Sequence, residues 1–183
     1  MKRVLLLLLS LTVATAALAA DTKPVEDVFN RYWSVYSKKD FGKATAEILP
    51  GDLEAMRAAV LPVFLAGQGS KAKDAPEVLS AFFGKTVGKG RETMTGAEVY
   101  AGLNRVVVAG SPEMFEAFKE ATLSIIFVRA VNADTAEVHF QIMVRGQSDT
   151  DMETLVKKDG RWWIKAKDDP KETAASFKEL FGK

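Results

Sequence analysis

Few side chains in this sequence are suited to acid–base catalysis or metal binding. His139 is the only histidine, and the chain has no cysteine. A zinc site here would need carboxylates for most of its ligands, which is an unusual composition for zinc. We therefore interpret His139 as a residue on the face of a strand and predict no metal site.

Three acidic residues, Asp149, Asp151 and Glu153, alternate along the chain. In an extended strand, alternate side chains project from the same face, so the three carboxylates would lie on one side. Their oxygens suit calcium, but the segment lacks the glycine and the ligand spacing of a calcium loop. The pattern favours a solvated strand edge over a calcium site.

Tyr32 and Tyr36 lie on the apolar stripe of a predicted helix, but no carboxylate shares that stripe. A general base must lie within hydrogen-bond reach of the proton that it removes. We interpret both tyrosines as core residues whose hydroxyl groups are hydrogen-bonded at the rim of the core. The sequence also lacks a nucleophile elbow, a nucleotide fingerprint and a metalloprotease motif, so we assign no catalytic residue and no cofactor.

The elements that carry these residues are predicted to be helices first and strands afterwards. Apolar residues recur at spacings of three and four from Val25 to Tyr36, which is typical of an amphipathic helix. Capping residues, prolines and apolar spacing predict further helices that begin near Asp40, Asp52, Pro76, Thr95, Ser111 and Lys171. Pro62 predicts a kink or a break in the helix that follows Asp52.

The last third of the sequence predicts a meander of at least four antiparallel strands. The apolar run over 123–131 is typical of a strand buried on both faces. The segment 136–145 alternates, with Val138 and Phe140 on one face and His139 on the other. Strands over 151–157 and 161–167 follow, joined by a turn at 159–160. The order of elements predicts an α+β fold.

The two adjacent tryptophans of the last strand must point to opposite faces of the sheet. Trp162 shares its face with Ile164, and we assign it to the core. Trp163 shares its face with the cations Arg161, Lys165 and Lys167, on the outer side. An indole at that position either covers a neighbouring strand or contacts another chain, and the sequence favours the first reading.

The N-terminal segment has the layout of a secretory signal peptide. Lys2 and Arg3 precede an apolar run, and Ala17-Leu18-Ala19 matches the pattern for cleavage after residue 19. We therefore predict a signal peptide over 1–19, export to the periplasm or outside the cell, and no membrane span after cleavage. The remaining 20–183 is expected to form a single domain without disulfides.

The charge of the protein argues against binding to nucleic acid. The chain has 25 Lys and Arg residues against 24 Asp and Glu residues, and removal of the leader takes away two of the cations. A surface that binds nucleic acid or anionic lipid needs a clear positive excess. We therefore predict no nucleic-acid partner.

The order of elements and two stretches of sequence resemble the nuclear transport factor 2-like superfamily, whose fold is a cystatin-like cone. The stretches are VFNRYWSVYSKKDFGKA in the first helix and DGRWWI in the last hairpin. The resemblance extends from Pro24 to Lys167, with a helical insert over 53–122. It implies a curved antiparallel sheet of four or more strands wrapped around the N-terminal amphipathic helix. It also implies a pocket lined by Phe29, Tyr32, Tyr36, Phe127, Phe140 and Trp162.

These observations lead to one expected function and two alternatives. We expect an exported, non-catalytic binding or accessory module with an apolar pocket for a small hydrophobic or amphipathic ligand. The first alternative is a small-molecule lyase or isomerase that uses the same pocket. The second is an interaction subunit, for example a homodimer formed through the outer sheet face around Trp163. An enzyme should bury an ionisable side chain with a perturbed pKa in the pocket, whereas a binding protein needs none.

Overall fold

The computed structural model of the protein describes residues 21–85 and 88–182. The predicted signal peptide over 1–19 lies outside these residues. The described part of the chain contains seven α-helices and one four-stranded antiparallel sheet that is not closed, which confirms the predicted α+β class. Within it, no helix is both long and apolar enough to cross a membrane.

The helices precede the sheet, except for the last one. Their bounds are α1 (Lys23–Tyr36), α2 (Phe41–Ala44), α3 (Pro50–Gly67), α4 (Ala75–Phe83), α5 (Gly96–Gly110), α6 (Pro112–Ala117) and α7 (Pro170–Gly182). Short 3₁₀ turns occupy Thr45–Glu47, Gly88–Arg91 and Phe118–Glu120. The strands are β1 (Thr122–Asn132), β2 (Thr135–Val144), β3 (Gln147–Lys158) and β4 (Arg161–Ile164), and they lie side by side in chain order.

The predicted helix boundaries are mostly confirmed, and local chemistry explains them. Thr95 caps α5 through a complete capping box with Glu98, as predicted. Gly84 ends α4 with a φ of 55°, a conformation that favours glycine. Pro50 begins α3, because its fixed φ suits the first turn of a helix, and α3 continues through Pro62 without a break.

The prediction that the first strand is buried on both faces was wrong. β1 pairs only with β2 and forms one edge of the sheet. Its large apolar side chains Ile126, Phe127 and Val131 are each about half exposed, at 54%, 49% and 50%. The continuous apolar run of β1 therefore belongs to an edge strand whose outer face is apolar. Sequence periodicity alone does not distinguish such an edge strand from a central strand that is buried on both faces.

The tight turn between β3 and β4 was predicted from Asp159-Gly160, and the structure confirms it. Both residues have positive φ angles, 54° and 77°, as a two-residue hairpin turn with the correct twist requires. The turn sets the register in which Val156 lies opposite Trp163 and Leu155 lies opposite Ile164. β3 is longer than predicted at its start, and β4 ends at Ile164, earlier than predicted.

Three hydrophobic cores hold these elements together, and the smallest contains Phe41, Ala101 and Phe115. The first joins α1 to the inner face of the sheet and contains Phe29, Tyr32, Phe140, Leu155 and Ile164. The second joins the helices α3, α4, α5 and α7, and its large side chains include Phe64, Phe82, Phe83, Leu103 and Phe177. The first and second cores meet at α5, which contributes side chains to both.

The buried carboxylate of Glu47 links α1 to β4 of the sheet. Glu47, whose side chain is 11% exposed, accepts hydrogen bonds from Arg31 Nε at 2.8 Å and Nη2 at 3.1 Å. Its Oε2 also lies 3.2 Å from Nη2 of Arg161 in β4. Burial acts to raise the pKa of Glu47, but the two arginines outweigh it and hold that pKa below its ordinary value.

Replacing Glu47 with Gln should destabilise the protein. The change leaves Arg31 and Arg161 with a weaker acceptor in a partly buried site, and we expect a loss of about 1–3 kcal/mol in the free energy of unfolding. Urea denaturation near neutral pH measures this loss. The control is Glu54→Gln on the exposed side of α3, which should have almost no effect. Equal values for the two variants would contradict a structural role for Glu47.

Candidate functional site

A cavity of about 380 Å³ lies next to the first core. We call it the α1–sheet cavity. Side chains from α1, α5, the α6 region, the sheet and the segment after β4 surround it. The lining residues are Tyr32, Trp33, Tyr36, Tyr100, Asn104, Val107, Phe115, Phe118, Phe140, Ile142, Asp151, Glu153, Ile164, Lys165, Lys167 and Asp168.

One wall of the α1–sheet cavity is aromatic. Tyr32 and Tyr36, one helical turn apart on α1, have ring centroids 5.2 Å apart in a stacked arrangement. The ring of Trp33 lies 6.0 Å from Tyr36, 6.1 Å from Phe140 and 6.0 Å from Phe118. Contacts of this kind at several angles hold the rings in place.

Two hydrogen bonds link the Tyr36 hydroxyl to α5. The Tyr36 hydroxyl donates to Asn104 Oδ1 at 2.9 Å, and Asn104 Nδ2 donates to the backbone oxygen of Tyr100 at 2.9 Å. Burial raises the pKa of Tyr32, Tyr36 and Tyr100, so all three remain neutral phenols near neutral pH.

Charged groups from β3 and from the segment after β4 also line the α1–sheet cavity. Glu153 and Asp151 project from β3, and Lys167 follows β4. The Lys167 ammonium lies 2.7 Å from Asp151 Oδ2 and 3.3 Å from Glu153 Oε1. The Glu153 side chain is the most buried of the three, at 13% exposure, whereas Lys167 is 44% exposed and reaches in from the rim.

The two carboxylates of this cluster have different proton affinities. Burial raises the pKa of Glu153 to about 7, since Lys167 only partly offsets the lost hydration and Asp151 and Asp168 add to the rise. Burial also acts to raise the pKa of Asp151, but Lys167 and the backbone N–H of Met152 lower it below its ordinary value. Asp151 is therefore ionised at neutral pH, while Glu153 both holds and releases a proton there.

Three of the six residues predicted to form a pocket line this cavity. They are Tyr32, Tyr36 and Phe140. Phe29 lies beneath the aromatic wall, fully buried, with its ring centroid 4.8 Å from that of Phe140. Trp162 is partly buried and packs on the first core, as predicted for its face, but it is not among the cavity-lining residues.

The placement of Phe127 in the pocket was wrong. Its side chain is 49% exposed and stacks on His139 with the ring centroids 4.2 Å apart. A shift in the β1–β2 register between Ile125 and Phe127 explains the difference, since Ile125 lies opposite Phe140 and Phe127 lies opposite His139. Such a bulge inserts one residue and transfers the following side chains to the other face of the strand.

Sequence reasoning missed the charged cluster, although a signal for part of it was present. Leu155 is a buried residue on the inner face of β3, so Glu153 and Asp151, two and four positions earlier, must share that face. The prediction of a solvated strand edge was therefore wrong for Glu153. Lys167 was placed on the outer face by extending the alternation of the last strand, but β4 ends at Ile164.

The outer sheet face holds the other two residues singled out by sequence. Trp163 is partly buried, and the Arg161 guanidinium lies over its ring, 4.0 Å from the centroid. His139 lies on the strand face, with Nε2 3.3 Å from Glu137, which is itself bound to Arg129. Among the described residues, no group of three or more His, Cys, Asp or Glu side chains is placed to hold a metal ion.

Comparisons with known proteins found no match for this chain. No family model matches the chain, and neither a curated protein nor a solved structure does. The nuclear transport factor 2-like resemblance therefore remains a prediction.

The proton affinity of Glu153 predicts a pH dependence of stability. Its pKa rises from an ordinary value of 4.5 to about 7 on folding, so the native state binds more protons between these values and loses stability as pH increases. Glu153→Gln removes this effect. We expect the variant to gain about 1–3 kcal/mol relative to the wild type between about pH 5 and pH 8 in urea denaturation.

Glu137→Gln is the matched control for this comparison. Arg129 lowers the pKa of Glu137 below its ordinary value of 4.5, so the stability that Glu137 contributes is already constant above that pH, and this variant should differ from the wild type by a constant amount between about pH 5 and pH 8. Parallel pH profiles for Glu153→Gln and the wild type would contradict the buried titration of Glu153.

Proposed function

We propose that this protein is an exported binding module that holds a small amphipathic ligand in the α1–sheet cavity. One observation carries the proposal: an aromatic wall and a partly buried carboxylate–ammonium cluster face the same cavity of about 380 Å³. Apolar surface supplies affinity, and a few fixed polar groups orient the ligand, which is the usual composition of small-molecule sites. The cavity is more polar than the apolar pocket expected from the sequence.

We also propose the finer features of fold and location that this function implies. The sheet curves around α1 in a cone, as the nuclear transport factor 2-like resemblance implies. Support comes from the burial of Phe29 and Tyr32 of α1 against Phe140, Leu155 and Ile164 on three different strands. Export rests on the leader-like sequence of residues 1–19, and 20–183 is proposed to form one domain.

Native mass spectrometry of the protein purified from the exported fraction tests the binding function. We expect a small molecule retained as a non-covalent adduct. Trp33→Ala should lower its occupancy about tenfold, because the change removes a central ring of the aromatic wall. Trp163→Ala is the matched control, since that tryptophan lies on the outer sheet face, and it should retain the adduct. The absence of an adduct in the wild type, or equal loss in both variants, would contradict the proposal.

A second candidate function, a small-molecule isomerase or lyase, is favoured by Glu153. Its carboxyl group faces the cavity and has a pKa of about 7, so near neutral pH it can both accept and donate a proton. The chemistry would be removal of a proton from an acidic C–H of the bound molecule and its return to another atom, with Lys167 and the tyrosine hydroxyls nearby to bind the charge that develops.

Hydrogen exchange distinguishes the enzyme from the binding protein. If Glu153 transfers protons, the molecule recovered from the cavity should gain deuterium at carbon when it is incubated with the protein in D₂O and followed by NMR. Glu153→Gln should abolish the exchange, a loss of at least about a hundredfold, and retain the molecule. A ligand that binds but shows no carbon exchange with the wild type identifies a binding protein only.

A further inference from the structure

We infer that the ligand of the α1–sheet cavity is an organic cation, a protonated amine carried on a small aromatic or alicyclic body. This inference rests on the proposed binding function and names its ligand class. Two independent features of the cavity support it: the arrangement of its aromatic rings and the balance of its charged groups.

The aromatic wall brings several rings to one region of the cavity. The rings of Trp33, Tyr36 and Phe140 form a connected group with centroids about 6 Å apart. The face of an aromatic ring carries partial negative charge and attracts a cation within about 6 Å of its centroid, most strongly for tryptophan. A ligand body of apolar character gains contact with the same rings, so the wall accommodates both parts of an amphipathic cation.

Acidic side chains outnumber basic ones around the cavity. Asp151, Glu153 and Asp168 line it, against Lys165 and Lys167. Lys167 is shared between two carboxylates and lies closer to Asp151, at 2.7 Å, than to Glu153, at 3.3 Å. In the described part of the chain, Asp168 forms no ion pair within 4.0 Å. The cluster therefore has fewer ammonium groups than its carboxylates can bind.

Glu153 lines the cavity, and one of its two carboxylate oxygens has no donor in the described part of the chain. Its Oε1 is bound to Lys167, whereas its Oε2 has no donor among the residues that the structure describes. A buried carboxylate without full compensation favours the approach of another donor. An ammonium group supplies both the donor and the charge, while its organic body lies against the aromatic wall.

An anionic ligand fits the same cavity poorly. A carboxylate in this position would approach Asp151, Glu153 and Asp168 and would compete with them for Lys167. Lys165 is exposed at the rim, where water and salt screen its charge, so it does not offset Glu153, which lies deeper with its side chain 13% exposed. A neutral ligand gains the aromatic contact but leaves the charge of Glu153 uncompensated.

Isothermal titration of the protein with three probes of similar shape tests the inference. The probes are phenethylamine, phenethyl alcohol and hydrocinnamate, which share a phenyl ring and a short chain and differ in charge. We expect phenethylamine to bind about tenfold more tightly than phenethyl alcohol, with hydrocinnamate the weakest of the three. Added salt should weaken only the binding of the amine.

Substitutions of the acidic residues assign the effect to the cavity. Glu153→Gln should reduce phenethylamine affinity about tenfold, to the level of phenethyl alcohol, and leave the alcohol unchanged. Asp168→Asn at the rim should reduce it about threefold, and it serves as a second test if Glu153→Gln does not fold. Glu92→Gln, which removes an exposed acid outside the cavity, is the control and should not alter the affinity for any probe.

The possible outcomes separate this inference from the proposed function. Equal affinities for the three probes, or tightest binding of hydrocinnamate, would overturn the organic-cation class while the binding function stands. Amine binding that persists in both Glu153→Gln and Asp168→Asn would also overturn it. If no probe binds at millimolar concentration, the organic-cation class fails, whereas the binding function is still decided by the adduct in native mass spectrometry.

Discussion

The packing of α1 on the inner face of the sheet is the interaction on which the rest of the structure depends. Phe29 and Phe140 meet there with centroids 4.8 Å apart, and burial of such side chains contributes about 2–3 kcal/mol each. The next residues of the same helix, Tyr32 and Trp33, extend beyond this contact and become the cavity wall. The helix that anchors the core therefore also positions the site, and Glu47 fixes its orientation through Arg31 and Arg161.

The charged cluster is costly for the fold, which is why it points to function. A leucine at position 153 would extend the apolar inner face from Leu155 and bury no charge. Glu153 instead loses hydration, and its single ammonium partner is shared with Asp151, so its pKa rises to about 7. Clusters of this kind weaken stability and are typical of sites where a ligand completes the set of interactions.

The sequence predicted the architecture better than the site, for identifiable reasons. Helix positions follow from capping and spacing that are local in the chain, as the Thr95 capping box and the turn at Asp159-Gly160 illustrate. The face of the sheet on which a side chain lies depends on features that are not local in the sequence. One bulge after Ile125 places Phe127 on the outer face of the sheet. β4 ends at Ile164, so the alternation of side chains along that strand no longer determines where Lys167 points. The inward direction of Glu153 was predictable from Leu155, but its proximity to Lys167 was not, because it depends on how β3 and the segment after β4 meet.

The helix α5 explains why the cavity keeps its shape. Tyr100 and Asn104 face the cavity, while Val99 and Leu103 are buried in the second core on the other side of the same helix. α5 also lies so close to α4 that a Cβ atom at Gly102 would come within 2.8 Å of the Phe82 backbone oxygen. A wall fixed in this way cannot move without disturbing the second core, so the Tyr36–Asn104 hydrogen bond and the aromatic rings are held in position in advance. The proposed ligand would therefore require little ordering of the protein on binding, which lowers the free-energy cost of association.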